Sequence, residues 1–499
     1  MLWGDDTPGG ESRRGETGEE TMGPGAVSTK SVGRRLFLRG LMAGVAGSVL
    51  MACAPAAQPT PTQPSTKPAE QPKPAQPTQP QPTPTPAAAA PKAAEKVTVR
   101  WQFRGTDAEL KRAEEAVKAL FTPKYPNINV VIEPAPDQRD EKLIAAMVAG
   151  TAPDVFESWT DNVTQFADRG QVLDVEPLVK RDFKPEDLKD FYQWQWKDFV
   201  LPSGIRFGLP KYVNVMVLWV NKDMFDQAGL KLPTLDWTHD DLQEAAVKLT
   251  KRSGQKTDVW GIYIPMWSWD RYWYRVEMWG GNPVNPNDPT ECLLGEEKAL
   301  AALEWARRLE WDLQAMAQPL AVERQGGLAL FSSGRVAMAE DGFYPFRMAQ
   351  MIQKRFKWQY AHTAKGPVTR RVLGTTDGFV IWKNTKVQEA AWTLLKFQSG
   401  PEYQEAQVKS TGLLPVRFSV LDRWKKIVTE AWPELAEANL DVGPQAMEMG
   451  YPGNRKLFKK DAEARQIIVP ALEKLYIVGG TPVTYMKEIA DQVTRKMRS

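Results

Sequence analysis

The chain has 499 residues, more than one hydrophobic core usually serves, so two packed units plus extra segments are expected. Its 64 Lys and Arg against 61 Asp and Glu leave a formal charge of +3, and the positive residues are dispersed, which argues against nucleic acid as a partner. Nineteen tryptophans beside two histidines and two cysteines favour stacking surfaces and leave little material for metal, cofactor, imidazole or disulfide chemistry.

Residues 1–30 are rich in Gly, Glu, Ser and Thr without an apolar period, and read as a disordered leader or an over-long start. Within 31–53, the run GRRLFLR at 33–39 precedes an apolar stretch at 40–52 that is too short and too Gly-loosened to span a bilayer. It ends in Leu50, Met51, Ala52 and Cys53. The arrangement resembles a twin-arginine export signal joined to a lipobox, which implies cleavage before Cys53 and lipidation of its sulfur. Gly33 stands where that pattern usually has Ser or Thr, so the choice between the twin-arginine and general secretion routes stays open. An ordinary signal with a chance Cys, or an uncleaved anchor, are the alternatives. Residues 54–95 carry thirteen prolines and almost no large apolar side chain, so they form a tether and not a core. In the polyproline conformation it reaches on the order of 100 Å at about 3.1 Å per residue.

The alternating, β-branched stretch at 96–103 predicts a first strand ending at Arg104. Leu110, Ala113, Val117, Leu120 and Phe121 keep helical spacing until Pro123 and Pro126. A strand at 129–132, a helix at 140–149 and a strand at 153–156 follow. Strand, helix, strand, helix, strand predicts an α/β layer with a parallel sheet, whose ligands bind beyond the carboxyl ends of the strands. The loops carrying Arg104 and Trp159 are thereby singled out. Helices are further predicted over 242–250, 296–310, 387–397 and 465–476, with Trp305, Trp311 and Trp392 in packing roles and Cys292 as a small apolar filler.

LIAAMVAGTAPDVF at 143–156 resembles the helix–turn–strand signature of family 1 extracellular solute-binding proteins, the maltose-binding-protein-like receptors of ABC importers. GQVLDV at 170–175, FGLP at 207–210, WVNKDMFDQAGL at 219–230, FSSGRVAM at 331–338 with Asp341 and Gly342, and GTTDGFVI at 374–381 extend the similarity over 96–420. Trp219 stands where the family more often has Tyr. The resemblance implies a two-lobed periplasmic-binding-protein fold of type II, with discontinuous lobes joined by hinge strands. Lobe one is expected at 96–213 plus 340–383 and lobe two at 214–339 plus 384–499. It further implies no covalent chemistry, a small-molecule solute, most simply a mono- or oligosaccharide, ABC permease subunits as partners, a monomer, and a lipid-anchored position outside the cytoplasm.

With His239 and His362 the only imidazoles, a nucleophilic triad has little to draw on, and no G-x-S-x-G, H-E-x-x-H or phosphate-loop motif occurs in the domain. Ser253 and Lys256 form an S-x-x-K without its partner motifs. Asp270 with Glu277 could supply a glycosidase pair, which keeps a secreted carbohydrate-active enzyme as an alternative; a receptor for a polyol, glycerol phosphate or peptide and an adhesive surface module are others. A sugar site needs aromatic faces and planar polar groups. The loops facing the expected cleft offer Arg104, Trp159, Asp161, Tyr212, Asn214, Asp341, Tyr344, Asp377 and, near the carboxyl end, Tyr451. Turn-capping and hinge roles compete with binding for the polar ones.

Residues 260–281, WGIYIPMWSWDRYWYRVEMWGG, hold five tryptophans and three tyrosines. A strand at 260–264, an exit loop at 265–269 and a helix ending at Gly280 are expected, with Trp273, Val276 and Gly280 on a core face. Trp267, Trp269 and Tyr272 are expected to line the cleft opposite Trp159.

Overall fold

The computed structural model describes residues 96–136, 139–159, 163, 165–167, 169–201, 203–449, 452–453 and 458–499. Cys53, Asp161 and Tyr451, together with the expected leader, signal and tether, lie outside the described residues.

The amino-terminal elements are β1 (Val97–Phe103), α1 (Asp107–Ala116), β2 (Ile128–Pro134), α2 (Arg139–Ala149) and β3 (Val155–Trp159). β1 pairs in parallel with both β2 and β3, as the alternation of strands and helices predicts. Thr106 and Glu109 close a capping box at the start of α1, which fixes where the loop after β1 becomes helical.

The long strand β4 (Leu209–Asn221) follows, then α3 (His239–Leu249), β5 (Lys256–Tyr263), α4 (Tyr272–Met278), β6 (Val336–Gly342), α5 (Pro345–Ile352), β7 (Trp358–Ala361) and β8 (Val372–Ile381). The main sheet runs β2, β1, β3, β8, β4, β6, β5, with Lys251–Ser253 at its far edge and β7 against β4. β4 changes partners midway: Leu209 to Val215 pair antiparallel with β8, and Met216 to Val220 pair antiparallel with β6. One continuous strand thus joins two sets of neighbours. Asn214, 1% exposed, sits at the change-over and accepts from the backbone N–H groups of Val215 and Phe343, each at 2.8 Å.

The helices α6 (Gln388–Gln398) and α7 (Pro401–Thr411) pack on the amino-terminal layer, α6 against β8, β1 and β4 and α7 against α1. Past the expected boundary at 383/384, α6 thus packs on strands of the first layer, while α7 packs both on α1 and on the helix Phe418–Ala431. The reason is apolar: Trp392, Leu394, Leu395 and Tyr403 are all buried on this side. The remaining helices, among them Phe418–Ala431, Asp461–Glu473 and Tyr485–Arg498, complete the carboxyl-terminal part.

In the tryptophan-rich run, β5 and α4 form on either side of a loop, so the division into strand, loop and helix stands. Trp273 and Val276 are buried as expected.

Candidate functional site

The sheet register builds the site. Asp377 on β8 is the partner of Trp159 on β3 and of Tyr212 on β4, so three side chains are set next to one another across adjacent strands. Immediately after Asp377 the β8–β4 register shifts at Gly378, where a Cβ would come within 2.1 Å of the Phe199 ring and 2.9 Å of the Leu209 carbonyl oxygen. Only glycine lets the strands close there, and the bulge sets the aim of Asp377.

Arg104, in the loop between β1 and α1, reaches across to this row. Its Nη1 donates to Asp377 Oδ2 at 2.5 Å, the Tyr212 hydroxyl donates to the same oxygen at 2.5 Å, and its guanidinium lies 4.0 Å from the centre of the Trp159 ring. Trp159 is 44% exposed, whereas Asp377 is 2% exposed. Burial works against the Arg104 charge, but Asp377 and its neighbours outweigh it and raise the guanidinium's pKa. Burial, then Asp377, pushes the Tyr212 hydroxyl well above its ordinary value, so it stays a donor.

Behind this row lies a second pair. Lys211 Nζ donates to Glu157 Oε2 at 2.5 Å, and the Arg104 backbone N–H donates to the same oxygen at 2.8 Å. Burial raises the Glu157 pKa, with Lys211 acting in the opposite direction. The pair fastens the Arg104 loop to β3 and β4.

On the other side, Arg271 Nη2 pairs with Asp341 Oδ1 at 3.2 Å, and the same oxygen accepts from the Gly342 backbone N–H at 2.8 Å. Burial raises the Asp341 pKa against the opposing pull of Arg271. Arg347 on α5 pairs with Glu109 on α1 at 3.2 Å.

These groups surround a cavity of about 990 Å³. Arg104, Trp159, Tyr212, Asn214, Tyr344 and Asp377 all line it. Trp267, Trp269, Tyr272 and Asp341 do not. Trp269 and Tyr272 are 3% and 2% exposed, edge to face at 5.8 Å, and belong to the apolar core; Trp267 packs against that core. The expectation that they face the cleft is corrected: three aromatic rings so close in sequence bury more area in the core than against solvent. Asp341 acts from behind, through Arg271.

Sequence reasoning missed Glu157, Lys211, Arg271, Arg347 and Glu109. Lys211 and Arg271 each adjoin a residue that the sequence singles out, Tyr212 and Tyr272, but charged side chains in strands and loops usually face solvent, so nothing in the sequence marks these two. Asp270 lines the cavity, but Glu277 does not and pairs with Arg371 at 3.9 Å, so the two are not presented together as a glycosidase pair. Among the described residues no group of three or more His, Cys, Asp or Glu could hold a metal ion. His239 and His362 stand outside the cavity wall.

The sequence model of the bacterial extracellular solute-binding protein family matches residues 105–405, which include the cavity's principal strands. The chain belongs to that family. A relative from Brucella abortus is 27% identical over 307 residues, 60% of this chain and 72% of the relative. An ABC substrate-binding protein from Listeria monocytogenes, solved in complex with cycloalternan, superposes with a TM-score of 0.70 at 23% identity, covering 81% of this chain and all of that one. A solute-binding protein from Thermotoga lettingae, solved with α-D-tagatose, gives 0.67 at 21% identity over 81% and 100% of the two chains. The fold is the two-lobed, type II periplasmic-binding-protein fold.

Proposed function

We propose that this protein captures a neutral carbohydrate in the cavity between its lobes and delivers it to an ABC permease. The observation that carries this reading is the row Trp159, Asp377 and Tyr212 under Arg104. It offers an exposed aromatic face beside planar groups able to hold vicinal hydroxyls by paired hydrogen bonds.

Charge supports a neutral ligand. Six cationic side chains line the cavity; four carboxylates line it too, and Glu157 and Asp341 stand directly behind. Arg104, Lys211, Arg271 and Arg347 each already have an acidic partner. A ligand such as glycerol phosphate would have to compete with those carboxylates for its cation. Sugar complexes among the structural relatives agree with the reading.

On this view lobe one comprises 96–213 and 340–383 extended by α6 and α7, and lobe two the intervening segment and the rest. Ligand contacting both lobes stabilises the closed state by its higher affinity for it, and the permease recognises that state. No covalent step is involved. Cys53 carries the lipid, and 54–95 tethers the receptor outside the cytoplasm.

A thermal-shift screen of the full chain tests this. A neutral saccharide at about 100 times its dissociation constant adds about 2.7 kcal/mol of stability. Stabilisation by glycerol 3-phosphate and by no saccharide would refute the carbohydrate reading.

A further inference from the structure

Two rings in the cavity wall are backed by different means. Trp159 has the Arg104 guanidinium over its face. Tyr344, half-buried, lies between the end of β6 and Pro345, the first residue of α5. Proline disfavours helical backbone in the residue before it, so α5 does not extend back through Tyr344, and the direction of this side chain is set by tertiary contacts.

β4 supplies those contacts. The Phe343 backbone N–H donates to Asn214 Oδ1 at 2.8 Å and to the Val215 carbonyl oxygen at 3.1 Å. Further along β4, the fully buried Trp219 donates through Nε1 to the Gly342 carbonyl oxygen at 3.0 Å. A buried indole N–H left without an acceptor is costly, so this bond ties the indole and the turn to one another. The Trp219 ring also meets the Tyr344 ring edge to face, with centroids 6.3 Å apart. Gly342 completes the arrangement: the Tyr344 ring occupies the space that a Cβ there would fill. Phe343, buried against Tyr360 and Trp424, keeps the turn from shifting as a whole. Burial, then Asp341, raises the pKa of the Tyr344 hydroxyl, so it remains a donor, and Arg271, Arg347 and Asp377 also act on it. Tyr344 thus answers to charged groups on both sides of the cavity.

We propose that Trp219, which does not line the cavity, is a positioning residue for ligand binding: through the Gly342 carbonyl oxygen and its own ring edge it holds Tyr344 in the one orientation that presents ring and hydroxyl to the ligand. This rests on the carbohydrate reading above. A wall ring fixed before the ligand arrives loses no rotamer freedom on binding, so slackening it weakens affinity even though the altered side chain touches no ligand.

The test titrates the full chain calorimetrically with maltotriose, β-1,4-mannotriose and α-1,5-arabinotriose. Trp219→Phe removes the indole N–H, and Gly342→Ala displaces the Tyr344 ring from the other side. For a trisaccharide that binds, each should weaken affinity about fivefold or more, and neither should weaken it further when added to Tyr344→Ala. Trp392→Phe removes an equally buried indole and its 2.7 Å bond to Asp182 Oδ2; it should lower the melting temperature and leave affinity unchanged. Melting of each ligand-free variant reports whether it folds. A 3-fluorotyrosine placed at 344 reads the ring without any ligand: its fluorine resonance, single and sharp in the parent, should shift and broaden in both positioning variants. An unmoved resonance, an unchanged affinity, or losses that persist in full beside Tyr344→Ala overturn the positioning role and leave the carbohydrate reading intact. No binding of any of the three sugars by the parent overturns both.

Discussion

Two arginine–carboxylate clusters in this protein use the same chemistry to different ends. Around Arg104 and Asp377 the groups line a cavity, beside a tryptophan that is 44% exposed. Around Arg275 and Glu340, which are 0% and 1% exposed, everything is sealed. Arg275 donates twice to Glu340 at 2.9 Å, the Tyr274 hydroxyl donates to the same carboxylate at 2.6 Å, and Arg275 also meets His239 Nε2. His239 is flanked by the rings of Trp279 and Trp305, its Nδ1 lies 3.0 Å from the Lys365 carbonyl oxygen, and burial, then Arg275, keeps it neutral. An Nδ1–H donating to that carbonyl leaves Nε2 to accept from Arg275. The difference teaches that residue type does not mark a binding site; what marks it is a polar network left open on one face.

The comparison is broken most forcefully from the sealed side. Arg275→Ala leaves Glu340 buried without its counter-charge and should cost about 3–5 kcal/mol in chemical denaturation, with ligand affinity of the folded fraction unchanged. Trp269→Ala should cost a similar amount, about 3–5 kcal/mol, again without affecting affinity. A loss of affinity with little loss of stability would return Trp269 to the cleft.

Glu310 sharpens the comparison further. It is 2% exposed, and burial pushes its carboxyl up to about 9. The folded state therefore holds a proton that the unfolded chain releases above its ordinary value, so this group's contribution is complete below about pH 4.5 and is lost as pH rises towards 9. Glu310→Gln should raise stability at pH 8 by on the order of 2 kcal/mol and flatten that part of the pH profile, read by denaturant melts at pH 5 and pH 8.

The open side answers with smaller numbers in a different readout. Trp159→Ala should weaken saccharide binding by about 2 kcal/mol in calorimetric titration and shift the stability of the ligand-free protein by less than about 0.5 kcal/mol. Equal losses in both would make Trp159 a packing residue.

Much of the fold was legible because periodicity reports burial. The strand–helix alternation over 96–156 and the helices near 242–250, 296–310, 387–397 and 465–476 appear where their apolar spacing predicts, shifted by a few residues at most ends. The affiliation of α6 and α7 was not legible, since spacing marks which face is buried and not which layer buries it. For the site, Arg104 and Trp159 could be singled out because the loops after β1 and β3 converge at the strand ends of such sheets, and Tyr212, Asn214, Tyr344 and Asp377 through the family resemblance of the segments that carry them. The tryptophans of 260–281 could not be sorted from sequence. Whether a ring faces a cleft or a core depends on what packs opposite, and Trp269 meets Tyr272 and the side chain of Arg465. Glu157 and Lys211 were hidden for a related reason: a salt bridge between β3 and β4 is set by long-range register.

The central claim is that the open network takes a neutral, hydroxyl-bearing ligand. Calorimetric titration of the saccharide that stabilises the protein best, at low and at high salt, measures it most directly. The account predicts saturable binding whose dissociation constant changes by less than about twofold between about 0.01 M and 1 M ionic strength, and which Asp377→Asn weakens by about tenfold or more. Binding that collapses with salt, or that Asp377→Asn leaves intact, would contradict it.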